Sequence, residues 1–245
     1  MQTSTPTAEI RQVCVELGGT RILSDIDLRI PQATTVAIIG ASGSGKSTLL
    51  KLLNGLRQPS AGEVLRDGRP IAAHDLRALR FSTGYALQEI GLFPHLSVRD
   101  NIALPMRLAG WQPDRIDART DELIALMQLA PKAIDRFPTQ MSGGQQQRAG
   151  LCRALALNPD LLLLDEAFSG LDAITRRQTH DHFVGMRGEQ INSCLLVTHD
   201  LDEAARLADW LVILHRGRVV RQGPRDEVLD DPRDDYAARL IEAFR

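Results

Sequence analysis

The sequence contains few aromatic residues, few cysteines and no long apolar run. Aromatic residues make up 4% of its 245 residues, and none precedes Phe81. Its three cysteines, Cys14, Cys152 and Cys194, are far apart and match no zinc or redox spacing, which is typical of reduced thiols in a cytosolic protein. No stretch approaches the roughly 18 apolar residues that a membrane-spanning helix needs. If the protein works at a membrane, another chain has to supply the spanning part.

The chain also lacks an excess of charge of either sign. Its formal net charge is −2, which gives no general attraction to nucleic acid or to anionic lipid. The first residues show no basic region followed by an apolar run, so we expect no signal peptide. The apolar fraction of 43% is sufficient for one large domain, or for a core with a subdomain.

Short apolar segments alternate with helical patterns along much of the chain. We predict strands on both sides of Gly18-Gly19 and at Val36–Ile39, Thr83–Leu87, Leu161–Leu164, Cys194–Thr198 and Leu211–Leu214. Helices are predicted at Lys46–Leu56, Asp172–Met186 and Asp200–Ala208. The segment Pro59–Gly68 is predicted as turns. Alternation of this kind favours a mostly parallel sheet that is covered on both faces.

The middle of the chain, from about 88 to 159, has a different character. Ser97 is a predicted cap for a helix through Leu104, and Pro113 is a predicted start for a helix through Leu129. Apolar and charged residues interleave there at helical spacing, which indicates a helical insertion in an α/β core.

A glycine-rich segment follows the apolar strand Val36–Ile39. It satisfies the P-loop pattern with Gly40, Ala41, Ser42, Gly43, Ser44, Gly45, Lys46, Ser47 and Thr48. Glycines let the backbone wrap closely around phosphate, and the following helix directs its positive dipole end at the same anion. Lys46 can reach the outer phosphates, Ser47 can ligate Mg²⁺, and Thr48 can contact phosphate. The alternative is a chance match on a flexible turn, but the position between a strand and a helix favours ATP binding and hydrolysis.

Two acids follow the apolar strand Leu161–Leu164. Ligands bind beyond the carboxyl ends of strands in an open parallel sheet, so we expect Asp165 and Glu166 beside the P-loop. Asp165 can hold Mg²⁺, often through water, and Glu166 can polarise the attacking water. The alternative is a solvated acidic pair that caps the next helix.

The segment Met141–Arg148 resembles the signature motif of ATP-binding-cassette (ABC) proteins, usually written LSGGQ, with Met141 in the leucine position. The resemblance implies a second anion cradle, which closes on the γ-phosphate held by a second subunit. Two chains would then enclose two ATP molecules head to tail. The residues of this cradle are Ser142, Gly143, Gly144 and Gln145.

Further segments resemble the other family motifs, in the family's order. Gln88 resembles the Q-loop glutamine, Ser169–Asp172 the D-loop with Asp172, and Val197–Asp200 the switch region with His199. The resemblance implies that His199 contacts the γ-phosphate and that Asp172 contacts the other subunit's site. The implied catalytic residues are Glu166, His199 and Gln88, and the implied Mg²⁺ ligands are Ser47, Gln88 and Asp165.

The resemblance also implies the fold and the partners. The fold would be a single ABC ATP-binding domain over 1–245, with an α/β, RecA-like P-loop NTPase core at about 1–88 and 159–225. An N-terminal antiparallel β subdomain, a helical insertion at about 89–158 and a short helical tail at 226–245 complete it. Implied partners are a second copy of the chain, transmembrane permease subunits and, through the permease, a periplasmic or lipoprotein substrate-binding protein, with no nucleic acid. The chain would be peripheral, on the cytoplasmic side of the inner membrane.

The stretch Gly84–Val98, together with Asp135–Pro138, resembles importers of glycine betaine, carnitine and choline. This implies the ATP-hydrolysing motor subunit of an osmoprotectant importer. One alternative is an ABC transporter with other cargo, such as lipid or amino acid. Another is a non-transport ABC ATPase acting on nucleic acid or ribosomes, against which the single short cassette and the near-neutral charge argue.

The sequence departs from the family pattern at two positions. Most relatives carry an aromatic residue on which adenine stacks, and alignment on Gly18 puts Leu17 there. Adenine would then rest on aliphatic side chains such as Leu17 or Ile22. Ala167 replaces the proline that usually follows the catalytic glutamate, which relaxes the backbone without altering the chemistry.

Overall fold

The computed structural model describes residues 5–188 and 191–243. It divides into two compact units, the first formed by 1–80 with 193–245 and the second by 81–192. Residues 1–4, 189–190 and 244–245, which the predicted domain over 1–245 includes, lie outside the described residues. The boundaries predicted for the core, the insertion and the tail stay predictions.

The chain begins with three strands, and helices and strands are interspersed along the rest of it. The strands are β1 (Ala8–Leu17), β2 (Thr20–Ile30), β3 (Thr35–Ile39), β4 (Ala61–Arg66), β5 (Arg69–Pro70), β6 (Thr83–Ala86), β7 (Leu161–Asp165), β8 (Ser193–Thr198), β9 (Trp210–His215) and β10 (Arg218–Pro224). The α-helices are α1 (Lys46–Leu53), α2 (Leu76–Phe81), α3 (Val98–Leu108), α4 (Pro113–Leu126), α5 (Gly143–Leu155), α6 (Ala173–Met186), α7 (Leu201–Leu207), α8 (Arg225–Asp230) and α9 (Asp235–Glu242).

The first unit contains an antiparallel sheet in the order β2-β1-β4-β5. Along β2, the apolar residues Ile26, Leu28 and Ile30 are buried, while Asp27 and Arg29 between them are exposed. This alternation is typical of a sheet with one face on the core and one in solvent. The predicted N-terminal antiparallel β subdomain is therefore confirmed.

The prediction of turns over Pro59–Gly68 is wrong, because β4 occupies the middle of that segment. It pairs with β1 in the register Ile10↔Val64, and Val64 is buried. Gly62 lies where a Cβ atom would be 2.3 Å from the Gln12 carbonyl oxygen. Gly62 therefore permits a close approach of two strands, which a residue with a side chain would prevent.

The first unit also contains the parallel strands β3, β8 and β9, with β10 antiparallel to β9. Ile38 pairs with Val197 on one side and with Val212 on the other. Every residue of β3 and β8 is buried, as expected for strands that are covered on both faces. The predicted α/β class is confirmed, while β10 and α2 are elements that the sequence patterns did not predict.

The second unit combines the parallel pair β6–β7 with helices α3, α4 and α5, which contact one another. Ser97 caps α3 as predicted, because its hydroxyl accepts the Asp100 N–H at 3.0 Å. The helix continues past the predicted end at Leu104, since fully buried Met106 keeps the turn after Pro105 on the core. Helix α4 ends at Leu126, before the predicted Leu129, because Gln128 adopts a left-handed φ of 49°.

Helix α1 likewise ends at Leu53, before the predicted Leu56. Asn54 follows as its C-cap, and Gly55 has a positive φ of 66° that a helix cannot continue. Within 5–188 and 191–243, no helix is both long enough and apolar enough to span a membrane.

Candidate functional site

The P-loop of the first unit connects β3 to α1, and at two of its glycines a neighbouring group leaves no room for a side chain. A Cβ atom on Gly40 would lie 2.1 Å from the Leu214 carbonyl oxygen. On Gly45, with a φ of 106°, a Cβ atom would lie 2.5 Å from the Leu23 side chain. Gly45 is also the N-cap of α1 and, having no side chain, makes no side-chain capping hydrogen bond. The N-terminal end of α1, with the positive end of the helix dipole, therefore lies at the loop, where it favours an anion.

Lys46 lies against the carbonyls of the same loop. Its Nζ atom donates to the carbonyl oxygens of Gly40 at 2.7 Å and Ala41 at 3.0 Å, and the residue is only 6% exposed. Ser47 and Thr48 are partly exposed, while Ala41, Ser42 and Gly43 are exposed. A buried ammonium next to an open loop mouth suits the binding of an anion that enters from solvent.

His199 follows β8 and lines the same cavity as the start of the P-loop. The cavity has a volume of about 140 Å³, and its walls include Gly40, Ala41, Ser42, His199, Leu201 and Tyr236. The structure therefore brings His199 and the P-loop together within the first unit, as their shared predicted contact with phosphate requires.

Leu17 ends β1 beside the Gly18-Gly19 turn, and its side chain is exposed. Ile22, the other aliphatic residue predicted near adenine, is half-buried on β2. An exposed leucine at the tip of a hairpin is accessible to a nucleobase, but its contact with adenine stays a prediction.

In the second unit, the ends of neighbouring strands β6 and β7 bring Gln88 and Glu166 together. The Gln88 side-chain amide donates to the Glu166 carboxylate at 3.0 Å. Asp165, the last residue of β7, is buried, and the Tyr85 hydroxyl donates to its carboxylate at 3.5 Å. Burial, and secondly the charge of Asp165, raise the pKa of Tyr85 well above its usual value.

The backbone of Glu166 adopts a conformation that is uncommon for its residue type. Its φ is 49°, in the left-handed region that side chains with a Cβ rarely occupy. Ser169 stabilises this turn, because its N–H and its hydroxyl donate to the Glu166 carbonyl oxygen at 3.2 and 2.9 Å. The buried Gln147 side chain donates to the same oxygen at 3.5 Å. Backbone strain of this kind clusters at functional sites.

The signature residues open α5. Ser142 caps the helix by accepting the Gln145 N–H at 3.3 Å, while the Gln145 side chain accepts the Ser142 N–H at 3.2 Å. This reciprocal capping box fixes the turn. Ser142 and Gly143 are exposed, and Gly144 is partly buried. The N-terminus of α5 is thus an ordered helix start that faces solvent, as an anion cradle requires.

Asp172 caps α6 by accepting the N–H groups of Ile174 and Thr175 at 3.1 and 3.0 Å. These hydrogen bonds, first of all those with Thr175, lower the pKa of Asp172. The next helix after β7 is therefore capped by Asp172, and the interpretation of Asp165 and Glu166 as its caps is wrong.

The predicted site residues divide between the two units. The first holds Leu17, the P-loop and His199, and the second holds Gln88, Asp165, Glu166, Ser142–Gln145 and Asp172. Sequence analysis missed Tyr85, Gln147 and Ser169, which contact the two acids. All three lie in segments that the family resemblance singled out, namely Gly84–Val98, Met141–Arg148 and Ser169–Asp172, but no role was predicted for them individually.

Comparisons with known proteins agree with this geometry. Residues 23–169 match the family model described as ABC transporter. The chain is 41% identical over 224 residues to the glycine betaine/carnitine/choline transport ATP-binding protein OpuCA of Bacillus subtilis, covering 91% of this chain and 59% of that protein. It is also 42% identical over 227 residues to the methionine import ATP-binding protein MetN of Caulobacter vibrioides, covering 91% and 68%.

The structural comparison extends the likeness to the fold. A solved dimeric ATP-binding cassette, in a post-hydrolysis state bound to ADP and Pi, superimposes with a TM-score of 0.82 at 28% identity. The match covers 89% of this chain and 98% of that one. The chain spans about 59% of the length of the first curated relatives that it matches. With the family model matched over more than half of its residues, the chain belongs to the ABC transporter family.

Proposed function

We propose that the chain is the ATP-hydrolysing motor subunit of an ABC importer. The observation that carries this proposal is the contact of the Gln88 amide with the Glu166 carboxylate at 3.0 Å. A carboxylate held beside an amide on adjacent strand ends can orient a water molecule and polarise it for attack on a phosphorus atom. Family membership supports ATP as the phosphate donor.

The P-loop supplies the grip on the phosphates. Its backbone amides and the N-terminal end of α1 bind phosphate oxygens, and Lys46 exchanges the carbonyls of Gly40 and Ala41 for the outer phosphates. His199, which lines the cavity next to Ser42, contacts the γ-phosphate. The loop backbone is already held in shape by its glycines, so only Lys46 has to change its hydrogen-bond partners when nucleotide binds.

The donor atoms of Ser47, Gln88 and Asp165 fit Mg²⁺. They comprise a hydroxyl, an amide oxygen and a carboxylate, all hard oxygen ligands of the kind that Mg²⁺ prefers. Mg²⁺ neutralises phosphate charge when it is bound. The Tyr85 hydroxyl keeps the buried Asp165 carboxylate in place through its hydrogen bond.

A second copy of the chain completes the site. The exposed α5 start at Ser142–Gln145 has the geometry of an anion cradle, and in the dimer it contacts the γ-phosphate held by the partner copy. Asp172 faces the other copy's site. Support comes from the solved relative, which is itself a dimer bound to ADP and Pi.

Permease subunits complete the transporter. The chain acts as a peripheral protein on the cytoplasmic side of the membrane. The surface around Gln88–His95, within the stretch that resembles osmoprotectant importers, contacts the permease. Exposed Phe93 and His95 lie in this stretch. A separate substrate-binding protein delivers the cargo to the permease.

The cargo is proposed to be an osmoprotectant such as glycine betaine, carnitine or choline. With the permease and binding protein co-purified and placed in liposomes, we expect these quaternary amines to raise ATP turnover several-fold, because cargo arrival promotes closure of the cassette dimer. Release of Pi measures the effect, and methionine serves as the matched comparison ligand. Stimulation by methionine alone would assign the chain to the amino-acid alternative, and stimulation by DNA or RNA alone would assign it to the non-transport alternative.

The missing aromatic residue at Leu17 predicts loose discrimination between ATP and GTP. Loss of an aromatic stack of about 1 kcal/mol weakens recognition of the base more than that of the phosphates. We expect GTP to compete with a fluorescent ATP analogue within about tenfold of the ATP affinity. Leu17→Tyr should widen the gap in favour of ATP, and a strong ATP preference in the unmodified chain would contradict the prediction.

A further inference from the structure

The C-terminal helix α9 reaches the P-loop through one side chain. The Tyr236 hydroxyl accepts the Ala41 N–H at 3.1 Å, although 195 positions separate the two residues. The Tyr236 ring also stacks on His215, with 3.7 Å between ring centroids and an interplanar angle of 25°. Tyr236 therefore joins the end of β9 to the entry of the phosphate loop.

Helix α9 holds this hydroxyl in a defined position. Asp234 caps the helix by accepting the N–H groups of Tyr236 and Ala237 at 2.9 and 3.0 Å. On the inner face of the helix, Ala237 and Ile241 are buried. A capped helix with a buried face, together with the stack on His215, leaves the phenol little freedom.

Ala41, the residue that Tyr236 contacts, also makes hydrogen bonds within the P-loop. The Ala41 carbonyl oxygen accepts both the Lys46 ammonium at 3.0 Å and the Ser44 N–H at 3.2 Å. Ala41 is exposed, so without Tyr236 its N–H would turn to mobile water. The N–H that Tyr236 contacts belongs to the Gly40–Ala41 peptide, whose own carbonyl oxygen, that of Gly40, accepts the Lys46 ammonium at 2.7 Å. The orientation of this peptide therefore helps to set where Lys46 lies.

We propose that Tyr236 is a positioning residue, which holds the Gly40–Ala41 peptide so that Lys46 and the P-loop amides are aligned for nucleotide phosphates. The inference rests on the proposed function, and it adds α9 to the elements that support nucleotide binding. The same hydrogen bond serves the ground state and the transition state, so its loss weakens binding of ATP and ADP alike without slowing the chemical step.

Tyr236→Phe tests the proposal, since it keeps the ring stack on His215 and removes only the acceptor. We expect the Kd values for ATP and ADP and the KM for ATP to rise about three- to tenfold, with kcat within about twofold of the unmodified chain. In a chain labelled with ¹⁵N-alanine, hydrogen exchange at the Ala41 amide should accelerate. Arg239→Gln, on the exposed face of the same helix, is the matched control and should change none of these quantities.

A purely structural role for Tyr236 would give a different result. In that case Tyr236→Phe would lower the midpoint of thermal unfolding and the fraction of active sites, with Kd unchanged for the folded molecules, and the proposal would be overturned. Unchanged nucleotide affinity despite faster Ala41 exchange would overturn it as well. Absence of ATP binding in the unmodified chain would reject the proposed function itself, whereas Ala41 exchange reports the contact independently of nucleotide.

Discussion

Glu166→Gln should lower ATP turnover about 10²- to 10⁴-fold, the range that loss of a positioned general base covers. The amide has the shape of the carboxylate, so the hydrogen bonds that Ser169 makes to the backbone of residue 166 remain. It carries no charge and no longer polarises water. ATP binding depends on the P-loop and should therefore persist, and the bound dimer should accumulate.

The measurements are Pi release, ATP affinity and the ATP-dependent fraction of dimer by size-exclusion chromatography. Glu63→Gln changes an exposed carboxylate on β4 and is the matched control, with turnover expected within twofold of the unmodified chain. Turnover close to that of the unmodified chain in Glu166→Gln would show that another group activates the water. If Glu166→Gln loses both ATP binding and turnover, Glu166 contributes to nucleotide binding instead.

The sequence predicted the two acids and Gln88 as site residues, but not how they are held. The motif order identifies Gln88 and Glu166 separately, whereas their 3.0 Å contact follows from the positions of two neighbouring strand ends. The left-handed φ of Glu166 is contrary to the preference of its residue type, and hydrogen bonds from Ser169 and Gln147 to its carbonyl oxygen stabilise it. Local patterns therefore predict which groups take part, and tertiary contacts determine their geometry.

The same division explains the elements that were predicted wrongly. Gly62 reads locally as a turn residue, but pairing with β1 makes its segment a strand. The helix was predicted to end at Leu104, before Pro105, but α3 continues to Leu108 because Met106 is buried in the core. Tyr236 carried no signal at all, because nothing in a tyrosine near the end of a chain indicates a hydrogen bond to a loop 195 positions earlier.

Gly40→Ala is expected to weaken ATP binding about ten- to 100-fold and to lower the free energy of unfolding by about 1–3 kcal/mol. The added Cβ atom would lie 2.1 Å from the Leu214 carbonyl oxygen, which belongs to the backbone of β9 and has no flexible end to move. The loop must shift instead. Because the Gly40 and Ala41 carbonyls hold Lys46, this shift displaces the lysine and the loop amides together.

Titration with ATP and chemical denaturation measure the two effects separately. The control is Gly185→Ala in helix α6, where an added Cβ atom meets open space and should leave ATP affinity unchanged. Its free energy of unfolding should stay equal or rise by up to about 1 kcal/mol, since alanine favours a helix over glycine. If Gly40→Ala binds ATP as tightly as the unmodified chain, the close approach to Leu214 does not determine the affinity of the P-loop for ATP. The affinity would then depend on the α1 start and Lys46 alone.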